Sequence, residues 1–187
     1  MPGTRVTAVS LALLAVLAAC GSPASSPGPA PAPPATSPVS TAPPAGGTSA
    51  AAAVPDQLKF TAKTVDGKDF SGADLAGKPV VLWFWAPWCP KCQREAPGMA
   101  AAAKEHGEKV TFLGVAALDQ VPAMQQFVQR YGLQSFQHVA DVDSAVWKRF
   151  GVTAQPAYAF VSPGGQVEVV TSQLSEQDLK QRLSALA

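Results

Sequence analysis

The sequence predicts a mixed α/β sandwich: helices on both faces of a central sheet that has parallel and antiparallel strands. Three observations carry that expectation. Residues 80–85 (Val-Val-Leu-Trp-Phe-Trp) and residues 110–118 are near-continuous apolar runs, as strands buried on both faces are. A helix-forming segment follows each run. A Pro163-Gly164-Gly165 turn then joins two further strand-like runs, closing the chain with a hairpin and a last helix.

Of the 187 residues, those from about Asp56 onward have a globular pattern. Residues 1–19 read as an export signal, with Arg5 supplying charge and residues 6–19 almost wholly apolar. That apolar run is shorter than the ~20 residues a membrane-spanning helix needs. A short retained anchor helix is the alternative reading. Residues 20–55 are mostly Pro, Ala, Ser, Thr and Gly with no charged residue, so they cannot bury a core. They read as a disordered tether of polyproline character, able to reach on the order of 100 Å when extended.

Residues 56–187 have the size of one domain. Residues 57–64 alternate through Leu58, Phe60 and Ala62 before an Asp66-Gly67 turn, which predicts a first strand. Residues 79–86 are the central strand and residues 90–106 the helix after it. Pro122 suits the first turn of a second helix, whose apolar face is Val121, Met124, Phe127, Val128 and Tyr131. Residues 136–140 read as a short strand. Asp143 is the expected cap of a helix bearing Val146, Trp147 and Phe150, with Gly151 after its end. Residues 157–162 and 166–171 form the hairpin. Ser175-Glu176-Gln177-Asp178 resembles a capping box, Leu174 and Leu179 are placed as a staple, and Leu179, Leu183 and Leu186 are the buried side of the final helix.

The chemistry is concentrated at Trp88-Cys89-Pro90-Lys91-Cys92. Two cysteines two residues apart, between a buried strand and a helix, predict a dithiol/disulfide redox centre, Cys89–Cys92. Cys89 falls at a helix N-terminus, where free N–H groups and the macrodipole favour negative charge. A thiolate favoured there is also a good leaving group in disulfide exchange. Pro90 fits the first helical turn, and Lys91 adds a modest, screened positive charge.

Closed zinc sites take four ligands, and the two histidines, His106 and His138, are isolated from each other and from the cysteines. They read as surface or packing residues, so no metal and no other cofactor is expected. A net charge of +1 without a basic patch gives no basis for nucleic-acid binding.

Leu17-Ala18-Ala19-Cys20 resembles the lipobox of bacterial lipoproteins, which implies cleavage before Cys20 and lipidation of its sulfur. An ordinary signal peptide and a secreted product is the alternative. Trp85-Ala86-Pro87-Trp88-Cys89-Pro90-Lys91-Cys92, with Pro97 in the helix and Gln155-Pro156 before the hairpin, resembles a thioredoxin fold. Asp66-Gly67-Lys68 and residues 75–82 resemble the exported TlpA/ResA/DsbE branch, closest to DsbE/DsbF-like lipoproteins. The resemblance implies a thioredoxin-like α/β/α sandwich, with Cys89 as nucleophile, Cys92 as resolving thiol and Pro156 as a cis-proline beside them. Cys89 is expected to be exposed, and Trp85 and Trp88 to form an apolar rim, while Trp83 and Phe84 belong to the core.

Two positions depart from the family pattern. Trp83 stands where many thioredoxins have a buried carboxylate, leaving Glu95 and Asp119 as candidates for proton transfer, each read as a solvated charge. Gln155 replaces the threonine or valine common before the cis-proline. The expected function is an extracytoplasmic thiol–disulfide oxidoreductase on the outer face of the cytoplasmic membrane. Its partners would be exported cysteine-containing proteins and a membrane redox protein that recycles it. Oxidation of substrates is favoured. Reduction in support of cytochrome c maturation is the alternative, and a non-catalytic copper- or partner-binding module the rival of another class.

Overall fold

The computed structural model describes residues 53–186. The signal, the lipobox at Cys20 and nearly all of the tether lie outside them. The described chain opens with a 3-10 turn, Asp56–Leu58, then β1 (Thr61–Lys63) and β2 (Asp69–Ser71). A second 3-10 turn, Gly72–Leu75, leads to β3 (Val80–Trp85) and α1 (Pro90–His106). The rest is β4 (Thr111–Ala116), α2 (Val121–Arg130), β5 (Gln137–Ala140), α3 (Ala145–Arg149), β6 (Ala157–Val161), β7 (Val167–Val170) and α4 (Glu176–Leu186).

The architecture is a thioredoxin-like α/β fold around a five-stranded sheet of order β5-β4-β3-β6-β7. β3, β4 and β5 run parallel, while β6 is antiparallel to both β3 and β7, so the sheet is mixed. Every residue of β3 and β6 is buried, which is why those segments are apolar without alternation. One face packs Val81, Trp83, Trp85 and Tyr158 against α1, α2 and α4. The other packs Leu82, Phe84 and Val115 against Val146 and Trp147 of α3 and Phe150 just after it.

The first predicted strand is broken. Phe60 N–H bonds to Leu58 O in a tight turn at 2.9 Å, leaving a short β1 that pairs with β2 as a separate ribbon. The cap of α3 also differs from expectation. Asp143 Oδ1 accepts only from Ala145 N–H at 3.2 Å, whereas Asp141, at the end of β5, accepts from Val146 N–H at 3.0 Å and Trp147 N–H at 2.9 Å. At α4 the expected cap is present, with Asp178 N–H donating to Ser175 Oγ at 3.1 Å. Gly151 ends α3 at φ +68°, a conformation open to glycine without strain.

Parallel strands point their C-terminal ends the same way, so Trp85, Ala116 and Ala140 mark one end of the sheet. Ala157 pairs with Phe84, so β6 begins at that same end. The loops after β3, β4 and β5 and the segment before β6 therefore meet there.

Candidate active site

The loop from β3 into α1 is tied down by its own backbone. Cys89 N–H donates to Ala86 O at 3.1 Å, and Gln93 N–H to Cys89 O at 3.0 Å. Gln93 Nε2 reaches back to Pro87 O at 3.1 Å. Cys89 is the N-cap of α1, Pro90 begins the helix, and Cys92 N–H donates to Cys89 Sγ at 3.2 Å. The Cys89 sulfur thus occupies the place a serine or aspartate oxygen takes in an ordinary cap, and negative charge there is favoured. Both cysteines are free thiols.

Cys89 is 3% exposed, not open to solvent as expected, because its sulfur turns inward over the first turn of α1. Cys92 is 0% exposed. Burial, the sulfur of Cys89 and the nearby charge of Glu95 push the Cys92 thiol well above the ordinary range. It needs a base before it can attack.

Trp88 forms a rim, 53% exposed, with its indole N–H donating to Leu118 O at 3.0 Å. Leu118, itself 47% exposed, adopts φ +61° after β4, the left-handed region rare for a non-glycine residue. Trp85 is not part of this rim. It lies at 0% exposure, stacked on Phe127 with centroids 4.3 Å apart, because the last residue of β3 still faces the helical layer. Trp83 and Phe84 are buried core, as expected. Lys91 is exposed, Gln155 half-buried and Pro156 buried, and the Gln155–Pro156 peptide is cis. Register places Pro156 at the sheet end from which the cysteine loop departs.

Glu95 overturns the expectation of a solvated charge. It stands one turn after Cys92 on the inner side of α1, where its Oε2 accepts from Trp83 Nε1 at 3.3 Å. Its Oε1 is buried without a hydrogen-bond partner. Burial raises its carboxyl above the usual range, against the Tyr158 hydroxyl and the Trp83 indole, which favour the ionised form. Asp119 instead accepts from Gln120 N–H at 2.7 Å in the loop before α2.

His138 is buried and its Nε2 bonds Leu133 O at 3.0 Å, while His106 sits at the end of α1. A Cβ on Gly114 would collide with the His138 ring, so that close approach requires glycine. Among the described residues, no three His, Cys, Asp or Glu side chains gather as a metal site would need.

Residues 52–170 match the AhpC/TSA family. The chain belongs to that family. Within it, the chain is 43% identical over 139 residues to the soluble secreted antigen MPT53 of Mycobacterium tuberculosis, covering 73% of this chain and 79% of that one. It is 34% identical over 122 residues to the thiol-disulfide oxidoreductase ResA of Halalkalibacterium halodurans, covering 64% of this chain and 69% of the other. The solved structure of MTB dsbF in its mixed oxidized and reduced forms superposes with a TM-score of 0.70 at 58% identity, covering 72% of this chain and 100% of that one.

This AhpC/TSA protein is a thiol–disulfide oxidoreductase, and its two buried thiols differ in their surroundings. Cys89 sits at the helix terminus with the Cys92 N–H on its sulfur. At Cys92 burial outweighs the help of the Ala86 backbone, and Glu95 stands one turn further along α1. Tyr158 and Leu118 were not among the residues picked out from the sequence. Tyr158 lies in an all-apolar strand and reads as core, and nothing local foretells the backbone turn at Leu118. A tyrosine directly across the sheet from Trp83 was the one available signal, and it requires the register.

Proposed function

We propose that this protein acts outside the cytoplasm, using a Cys89–Cys92 disulfide to oxidise cysteine pairs of exported polypeptides. The observation that carries the reading is the cap of α1, where Cys89 Sγ accepts from the Cys92 N–H at a helix N-terminus, a place that favours negative charge on sulfur. Stabilising the reduced form makes the disulfide a stronger oxidant. The export signal in residues 1–19 and the secreted MPT53 relative support the location. Cys20 would be lipidated, holding the domain at the outer face of the membrane, where a membrane redox protein recycles it. Lipid on Cys20 gives a simple check: Cys20→Ala should move the protein from the membrane fraction to the soluble one.

In the oxidising direction, a substrate thiolate attacks Cys89 Sγ. The Cys89–Cys92 bond breaks, a mixed disulfide forms, and Cys92 leaves as a thiolate that takes its proton from Glu95. The second substrate thiolate then attacks the substrate sulfur joined to Cys89, forming the substrate disulfide and releasing the Cys89 thiolate. Two electrons pass from the substrate to the cysteine pair.

Equilibration with glutathione buffers tests the direction. A reduction potential near the strong-oxidant end, about −120 mV, is expected. A value near that of thioredoxin, about −270 mV, would overturn oxidation and assign reductive work. Cys89→Ser should abolish exchange, and Cys92→Ser should trap a mixed disulfide with the substrate. Exchange that survives both changes would sink the enzyme mechanism.

A further inference from the structure

Glu95 is enclosed on the sheet side by Trp83, yet on its other side lies an opening. α1 and residues 173–176, which lead into α4, leave a cleft of about 150 Å³ walled in part by Glu95, Gly98, Tyr158, Leu174, Ser175 and Glu176. A separate groove on the other flank of α1 is lined by Trp88, Gln93, Asp119 and Tyr131. The helix thus has the exposed rim on one flank and the Glu95 cleft on the other.

Trp83 and Tyr158 are direct neighbours across β3 and β6, and both belong to the layer that α1 covers. The Trp83 indole donates to Glu95 Oε2 at 3.3 Å. Tyr158 lines the same cleft as Glu95, its hydroxyl favours the ionised carboxylate, and Oε1 stays unpartnered. An indole and a phenol on paired positions of two strands therefore bracket one carboxylate. Besides Trp83, the titratable or charged groups that face Glu95 are Cys92 and Arg94 on α1, Tyr158 on β6 and Glu176 at the start of α4.

The geometry points to Trp83 and Tyr158 as positioning residues that hold the Glu95 carboxylate between the Cys92 thiol and this cleft. The cleft is then the passage by which the Cys92 proton reaches water while a partner chain occupies the Trp88 side. This rests on Glu95 being the group that exchanges a proton with Cys92. When the reduced protein resolves a mixed disulfide, Cys92 gives its proton to Glu95, and the Cys92 thiolate attacks Cys89 Sγ. The Cys89–Cys92 bond forms, the bond from Cys89 to the partner sulfur breaks, and the partner leaves as a thiolate carrying two electrons from the cysteine pair. Glu95 then releases the proton through the cleft. In the oxidising direction the same proton returns by the same path.

The experiment mixes the reduced full chain with a fluorescent peptide disulfide in a stopped-flow instrument, across pH, so that attack by Cys89 and release by Cys92 appear as two phases. Tyr158→Phe and Trp83→Phe keep the aromatic packing; the second removes the indole donor to Oε2 and the first the hydroxyl that shares the cleft with the carboxylate. Each should move the midpoint of the release phase to higher pH, by about one unit, and leave the attack phase in place. Gly98→Leu fills the cleft from a position where a Cβ meets Glu176 only at 3.8 Å, and it should slow release several-fold without moving the midpoint. Unmoved midpoints in both aromatic variants would overturn the positioning role. Unchanged release in Gly98→Leu would overturn the passage. Glu95→Gln separates the levels: if it leaves the release phase and its pH dependence intact, the underlying proton-transfer reading fails instead.

Discussion

Two carboxylates on opposite sides of the sheet, Asp141 buried and Glu95 half-buried, make an instructive pair. Asp141, at the end of β5, accepts two backbone N–H groups, at 3.0 Å and 2.9 Å, and so fastens the start of α3. Glu95 accepts one indole N–H at 3.3 Å and has a second oxygen with no partner. Burial raises both carboxyls above the usual range, but only Asp141 has its acceptor capacity spent on structure. A buried oxygen without a partner costs stability, of order 1–3 kcal/mol. At Glu95 that cost falls one turn from the Cys92 thiol, in keeping with the proposed proton-transfer role; full satisfaction at Asp141 marks a structural carboxylate. The same division holds for the tryptophans. Trp147 on the α3 side donates to Val115 O at 3.0 Å, while Trp85 beside the site has an unpartnered buried N–H.

The contrast can be broken in four ways. Glu95→Gln keeps the shape and removes the base, so release of a bound partner by Cys92 should slow about 10²-fold or more, with the melting temperature unchanged or raised. A fall in stability without a kinetic defect would reverse the assignment. For Asp141→Ala the expectation is opposite. Two buried N–H groups lose their acceptor, unfolding free energy in urea should drop by about 3 kcal/mol, and the pH profile of exchange should not move.

The third test uses His138, which burial pushes down to about 4. Its neutral form is retained in the folded state, while the unfolded chain takes up a proton below about 6.5. The stability it contributes is therefore present above pH 6.5 and is lost as pH falls toward 4, by on the order of 3 kcal/mol. Glu95 and Asp141, raised in the fold, act in the opposite sense, so the comparison is with His138→Gln, whose stability should lack this acid-side loss. The smallest effect is expected at the rim. Trp88→Phe removes the hydrogen bond to Leu118 O, and thermal unfolding should register about 1 kcal/mol or less, with exchange changed by less than tenfold.

Much of this was legible from local pattern. The limits of α1, Pro90–His106, follow from a proline at its start and an amphipathic run behind it, and the Ser175 cap of α4 from four consecutive residues. The Cys89–Cys92 pair is likewise local, since the chemistry needs two thiols one turn apart. Three expectations failed where contacts between distant residues decide. Trp85 went to the core because α2 supplies Phe127 above it. Asp143 yielded the cap of α3 to Asp141 because β5 ends there, pairing with β4. Glu95, read as solvated, is turned inward because Trp83 offers an N–H from beneath α1.

The amino-acid sequence by itself determined the fold class, the order of strands and helices from β3 onward, and the dithiol centre at the head of α1. Each depends on periodicity, capping or spacing within one segment. The tertiary structure alone decided which carboxylate turns inward beside Cys92. That choice rests on the pairing of Trp83 with Tyr158 across the sheet and on what α1 covers, and both are contacts between residues far apart in the chain.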